Sequence, residues 1–208
     1  YKPSQTSEKT NAKEDFSESW QFIKRSKEIP YIIIIQFLCI LINTGVWRVA
    51  LPLFIAKSLE EGVGVYGLAT FFLGVASLLT SLIVGLLSEK YIIFKFSLGV
   101  FIWGVGLLII GMFPHTLVLY VAAILVGVGQ SVEGLTRSIA IQTKTPNHLM
   151  GKVFSLSSTS NYAADTLSLG VISLVIPLIT LGGVFTSGGV IIALLSFIGI
   201  RYSSKIIK

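Results

Sequence analysis

Apolar residues fall along this chain in six blocks, separated by short polar breaks. A bilayer core of roughly 30 Å takes about 20 apolar residues in a helix. Blocks of that length lie at about 31–56, 65–87, 92–113, 116–140, 153–178 and 184–202. The breaks carry turn chemistry: Glu60-Glu61-Gly62, Ser88-Glu89-Lys90, Pro114-His115, Thr145-Pro146-Asn147-His148 and Leu181-Gly182-Gly183. The pattern predicts an all-α membrane protein, with residues 1–29 as a polar leading segment and 30–208 as a bundle of six transmembrane helices.

The leading segment has a pattern of its own. Phe16, Trp20 and Ile23 recur at i, i+4 and i+7, Asp15 and Glu18 stand at capping-box spacing, and Lys24, Arg25 and Lys27 follow. This predicts a short amphipathic helix at about 15–28, lying on the inner membrane surface and leading into Pro30. The alternative is a solvated linker with a chance aromatic stripe. Residues 1–13 read as disordered.

Composition agrees. Of 208 residues 53% are apolar and only 12% charged, against about 25% charged in a soluble globular chain. The mean hydropathy is +0.83. A disordered chain, a coiled coil, a collagen and a disulfide-stapled domain are excluded. The one cysteine, Cys39, sits in an apolar run and reads as a small buried hydrophobe. The chain begins at Tyr1, and its first thirty residues lack the apolar core of a signal peptide, which reads as a fragment of a longer polypeptide.

The net charge of +6 points to the inner leaflet rather than to nucleic acid, because of where the charges stand. Thirteen basic residues, Lys2, Lys9, Lys13, Lys24, Arg25, Lys27, Lys90, Lys95, Lys144, Lys152, Arg201, Lys205 and Lys208, fall on one side of the six-span topology, and Lys57 alone on the other. By the positive-inside bias both termini face the cytoplasm.

Polar residues inside the spans are unequally shared. The first span carries Gln36, Asn43, Thr44 and Arg48, with Gln36, Asn43 and Trp47 spaced by seven and four along one face. The fourth carries Gln130, Glu133, Thr136 and Arg137; the fifth carries Ser157, Ser158, Asn161, Asp165 and Ser168. Span two has only hydroxyls (Thr70, Ser77, Thr80 and Ser81), and spans three and six have no amide and no charge apart from Lys95 and Arg201 near their ends. Intramembrane ionisable groups cost several kcal/mol unless paired or wet. Spans one, two, four and five are therefore expected to line a shared cavity, and spans three and six to tolerate lipid throughout. The alternative is that each polar group bonds a neighbouring helix.

At 1.5 Å per residue, Asp165 lies about 18 Å into its span and Arg48 about 25 Å into its own, close enough for an extended arginine to reach the acid. Glu133 and Arg137 are spaced for a local ion pair on one helix. Ser77, Ser81 and Gly85, and Ala123, Gly127 and Ser131, form two stripes of small residues. No H-E-x-x-H, G-x-S-x-G, phosphate-binding glycine signature or cysteine pair is present, so neither an enzyme nor a cofactor or metal is expected.

After span two the chain reads Gly85-Leu86-Leu87-Ser88-Glu89-Lys90, with Lys95 opening the next helix. Gly85, Leu87, Glu89 and Lys90 resemble the cytoplasmic gating-loop signature of the major facilitator superfamily. Ile92 stands where a glycine is usual, and the basic cluster thins to Lys95, as in the degenerate copy in the second half of such transporters. Phe16 to Pro30 (FSESWQFIKRSKEIP) and Pro146 to Leu156 (PNHLMGKVFSL) are similar to the connectors of its macrolide-efflux-like branch. The resemblance covers essentially the whole chain.

It implies the C-terminal six-helix half of a twelve-helix exporter in a bacterial cytoplasmic membrane, with residues 1–29 as the linker between halves. The implied partners are the N-terminal half, membrane lipids, a small drug-like or amphipathic substrate and protons. The implied activity is multidrug or macrolide efflux by an antiporter. Within this reading Asp165, Glu133, Arg137 and Arg48 are the coupling candidates, Asp165 foremost, and Gln36, Asn43, Trp47, Gln130, Asn161 and Ser168 the substrate-cavity candidates. The rival is a complete six-span protein that dimerises as a transporter, channel or assembly module.

Overall fold

The computed structural model describes residues 20–26, 28–86 and 90–206, with side chains described up to Arg201. Within them the chain is helical, with no strand. Six long helices follow one another: α1 Glu28–Ser58, then α2 Val63–Val84, α3 Ile92–Met112, α4 Thr116–Lys144, α5 Asn147–Val175 and α6 Leu181–Ile206. Each expected block is thus a helix. The largest discrepancy is at α5, which begins six residues before the expected 153, at Asn147 directly after Pro146. Its opening turn sets only Leu149 and Met150 among Asn147, His148, Gly151 and Lys152, too few apolar residues to extend the apolar block. Pro177 lies just beyond its last helical residue, where the missing N–H and fixed φ suit an exit.

Five of the helices are long and apolar enough to cross a membrane: α1, α2, α3, α4 and α6 to Arg201. The polar stripe along α5 keeps it below that level.

Helix α1 is interrupted. Residues Val46–Ala50 form a π turn, in which the Leu51 N–H bonds the Val46 carbonyl five residues back. Pro52 follows at once, and it can supply no N–H to the carbonyl of Arg48. The helix widens there and resumes as Leu51–Ser58.

Helix α3 packs along both α4 and α6, α2 along α4, and α1 along α5. Glycines explain the central place of α3. A Cβ on Gly99 would lie 2.6 Å from the Glu133 nitrogen, and one on Gly106 2.8 Å from Val126 Cγ2, both on α4. On the opposite face a Cβ on Gly104 would lie 2.5 Å from the Ala193 nitrogen, and Gly111 abuts Gly182 and Thr186 on α6. Each pair is spaced by seven, two turns of helix, and lets backbones meet without intervening side chains. Helix α3 therefore does not face lipid throughout, as its lack of polar residues suggested; 56% of its apolar stretch is buried in the bundle.

The two small-residue stripes meet each other. Ser77 Oγ donates to the Gly127 carbonyl (3.0 Å), Ser131 Oγ to the Ser77 carbonyl (2.8 Å), and Ser81 Oγ lies 3.0 Å from Ser131 Oγ. Gly85 stands apart from this seam: the nearest atoms to a Cβ there belong to its own helix.

Residues 20–25 are helical. Ile23 is buried in a small cluster with Ile29 of α1, Ile141 of α4, and Leu149 and Val153 of α5. Trp20 is exposed, with Lys24 Nζ 5.3 Å from its ring centroid. Lys144 Nζ stands 3.3 Å from Glu28 Oε2, tying the end of α4 to the start of α1. The helix expected to run to about 28 ends at 25, Ser26 is not helical and Glu28 already opens α1; residues 15–19 and 27, and residues 1–13, lie outside the described residues.

Candidate functional site

A cavity of about 390 Å³ opens between α1, α4 and α5, with α3 behind it. Helix α1 lends Gln36, Ile40, Asn43 and Thr44, which share one face at spacings of three and four. Helix α4 lends Gln130, Glu133 and Gly134; α5 lends Asn161, Tyr162 and Asp165; α3 lends Trp103. The uneven share of polar residues thus has a geometric cause, because spans one, four and five turn their amides and acids to one space. Helix α2, expected beside them, contributes nothing to this cavity. Its Ser77 and Ser81 bond α4 or their own helix, and Thr70 Oγ1 donates to the Tyr66 carbonyl.

The two acids are held differently. Asp165 Oδ1 accepts from Thr44 Oγ1 at 2.6 Å, and its Oδ2 lies 3.3 Å from Arg48 Nη1. The pairing of Arg48 with Asp165, suggested by depth alone, is therefore present. The contact is reinforced a turn further on, where the Gly45 N–H donates to Ser168 Oγ at 2.7 Å. A Cβ on Gly45 would lie 2.6 Å from the Ser168 carbonyl and from Ile172, so α1 and α5 touch backbone to backbone. Ser168 is spent on this contact and does not line the cavity.

Glu133 is only 2% exposed, and its Oε1 has no hydrogen-bond partner among the described residues. The local ion pair expected with Arg137 does not form, since Arg137 Nη1 donates to Ser157 Oγ of α5 at 3.2 Å. Gln36 is 6% exposed and its Oε1 is likewise unpartnered among the described residues. Asn43 Oδ1 accepts from Trp103 Nε1 at 2.9 Å, which fixes the amide at the cavity wall.

The structure thus brings Gln36, Asn43, Gln130, Glu133, Asn161 and Asp165 together, with Arg48 attached through Asp165. It does not bring Trp47, which is buried in the core at the π turn. The aromatic residues at the cavity are Tyr162 and Trp103, the latter set in an apolar run where nothing in its neighbours marks it. In the loop motif Gly85 and Lys90 are exposed, while Leu87 and Glu89 lie outside the described residues. Tyr91 holds φ 59° beside the position where the motif's glycine is replaced by Ile92, a left-handed conformation that favours glycine. Among the described residues no three His, Cys, Asp or Glu side chains are grouped to hold a metal.

Long apolar helices enclosing a polar cavity define an integral membrane protein. The chain matches the family model of the Major Facilitator Superfamily over residues 1–169, and it belongs to that family. Members of the family are transporters rather than enzymes, and the chain is a membrane transporter in this general sense. No curated protein matches it.

Proposed function

We propose that the chain is the C-terminal six-helix half of a secondary active exporter that moves amphipathic small molecules in exchange for protons. In this reading α5 is the sixth span and both termini lie in the cytoplasm. The observation that carries it is the cavity of α1, α4 and α5, which gathers two acids and four amides with apolar Ile40 and Trp103. Such a lining suits a ligand with a polar head and an apolar body. Two six-helix halves rocking about a site near the midplane would expose it alternately to each side. A second half also accounts for α2, of whose apolar stretch only 17% is buried, with Phe71, Leu78 and Leu82 exposed.

Asp165, with its carboxylate shared between Thr44 and Arg48, is the proposed coupling group. Protonation would release the arginine and loosen the α1–α5 contact, linking proton binding to helix movement. Asp165→Asn in the complete protein is expected to flatten the pH dependence of export from membrane vesicles. An unchanged profile would remove Asp165 from the mechanism. The rival, a six-span homodimer, also covers α2. The intact mass of the native polypeptide separates them: a value near 22.5 kDa means a homodimer, and one near twice that means a two-half transporter.

A further inference from the structure

Helices α3 and α6 run antiparallel, and three contacts set their register: Gly111 abuts Gly182 and Thr186, Gly104 abuts Ala193, and Gly199 abuts Ser97 and Tyr31. Lys95 stands two residues before Ser97, and Arg201 two after Gly199. Both therefore lie about 3 Å beyond that contact, toward the same end of the bundle. They also share an outward face. Phe94, Lys95 and Leu98 follow one another at helical spacing on α3, and Leu194, Phe197, Ile198 and Arg201 do so on α6. The apolar members of both sets are exposed, and Arg201 with them. The two faces adjoin, since the rings of Phe101 and Phe197 meet edge to face with centroids 5.7 Å apart.

The result is a strip of exposed apolar surface with cations at one end only. Neither helix carries an Asp or Glu, and residues 96–112 and 181–200 hold no charge at all. Bulk lipid accounts for the apolar strip, but not for two cations set at one level beside it. A lysine and an arginine have several N–H donors each, enough to meet a phosphate and keep contacts within the chain. An acidic protein segment would match the cations and leave the strip bare. A zwitterionic lipid would match the strip and bring a cation of its own. An anionic phospholipid matches both.

We propose that the α3–α6 face binds one anionic phospholipid, its phosphate between Lys95 and Arg201 and its acyl chains along Phe94, Leu98, Phe197 and Ile198. On the proposed topology the lipid belongs to the inner leaflet. The site shares no residue with the cavity, and it stands whether or not the exporter reading does.

The test uses the full-length protein in detergent micelles and a phosphatidylglycerol that carries a diazirine in one acyl chain. After irradiation, peptide mass spectrometry is expected to place the crosslinks within 94–101 and 194–201. Unlabelled phosphatidylglycerol is expected to suppress them at a concentration at least about tenfold below that needed of phosphatidylcholine with the same chains. Lys95→Gln and Arg201→Gln are each expected to weaken phosphatidylglycerol binding about fivefold, by titration of the crosslink yield, as befits the loss of one cation beside an anionic headgroup. Lys57→Gln, at the other end of the bundle, is expected to leave it unchanged. The wild-type arm decides alone where a variant does not fold. Crosslinks spread evenly around the bundle, or equal competition by the two lipids, overturns the proposal. A dimeric mass by light scattering with these positions unlabelled would make the strip a contact between copies, and overturns it too.

Discussion

Asp165 and Glu133 show how much of a residue's meaning is its company. Both were legible as candidates, because an acid inside an apolar run asks for a reason. Their partners were legible only in part. Depth along the helices led from Arg48 to Asp165, whereas the spacing of Glu133 and Arg137 suggested a pair that the turn of Arg137 toward Ser157 replaces. Trp103 gave no sign, since an indole in an apolar run reads as filler until Asn43 is seen to accept from it. Trp103→Phe keeps most of the ring and removes that donor. It is expected to lower stability by about 1 kcal/mol, measured by thermal unfolding in detergent. A loss above about 3 kcal/mol would mean that shape, not the hydrogen bond, fixes the site.

Among the described residues the six long helices follow the expected apolar blocks in order, because apolar length is a strong signal, and five of them are apolar enough to cross a membrane; their faces were less well foretold. Trp47 was placed beside Gln36 and Asn43 on the assumption of an even 3.6-residue turn, and the π segment Val46–Ala50 breaks that turn just before it. Pro52 was the available warning. Likewise α3 was judged by its missing polar residues, when Gly99, Gly104, Gly106 and Gly111 were the features that mattered. Glycines also supply the contrast to measure. Gly129 of α4 meets the backbone of Gly99 and Trp103, while nothing lies within 4 Å of Gly170 on α5. Gly129→Ala is expected to destabilise by about 1–3 kcal/mol through overpacking. Gly170→Ala is expected to stabilise by up to about 1 kcal/mol, since alanine is the better helix former. Thermal unfolding of the two side by side checks the sign of each.

For the whole molecule the proposed orientation can be read chemically. Cys39 is buried, so Cys39→Ser provides a background for single cysteines. In intact cells a membrane-impermeant maleimide is expected to label a cysteine at Glu61 or His115 and to spare one at Lys90 or Asn147. The reverse pattern would invert the topology. A second check concerns the small cluster beneath the bundle. Ile23→Asp is expected to free the segment at 20–25 from α4 and α5, seen as faster proteolysis near Arg25.

The polar face of α5 also bears on how the protein is made. A segment too polar to partition into lipid by itself gains little from meeting the bilayer alone. Its missing partners, Thr44, Gly45 and Arg48, stand on α1, which leaves the ribosome first. On the proposed topology α1 acts as a template: insertion of the fifth span waits on the first, and a lesion at Gly45 would surface as a defect of biogenesis before it surfaced as one of transport.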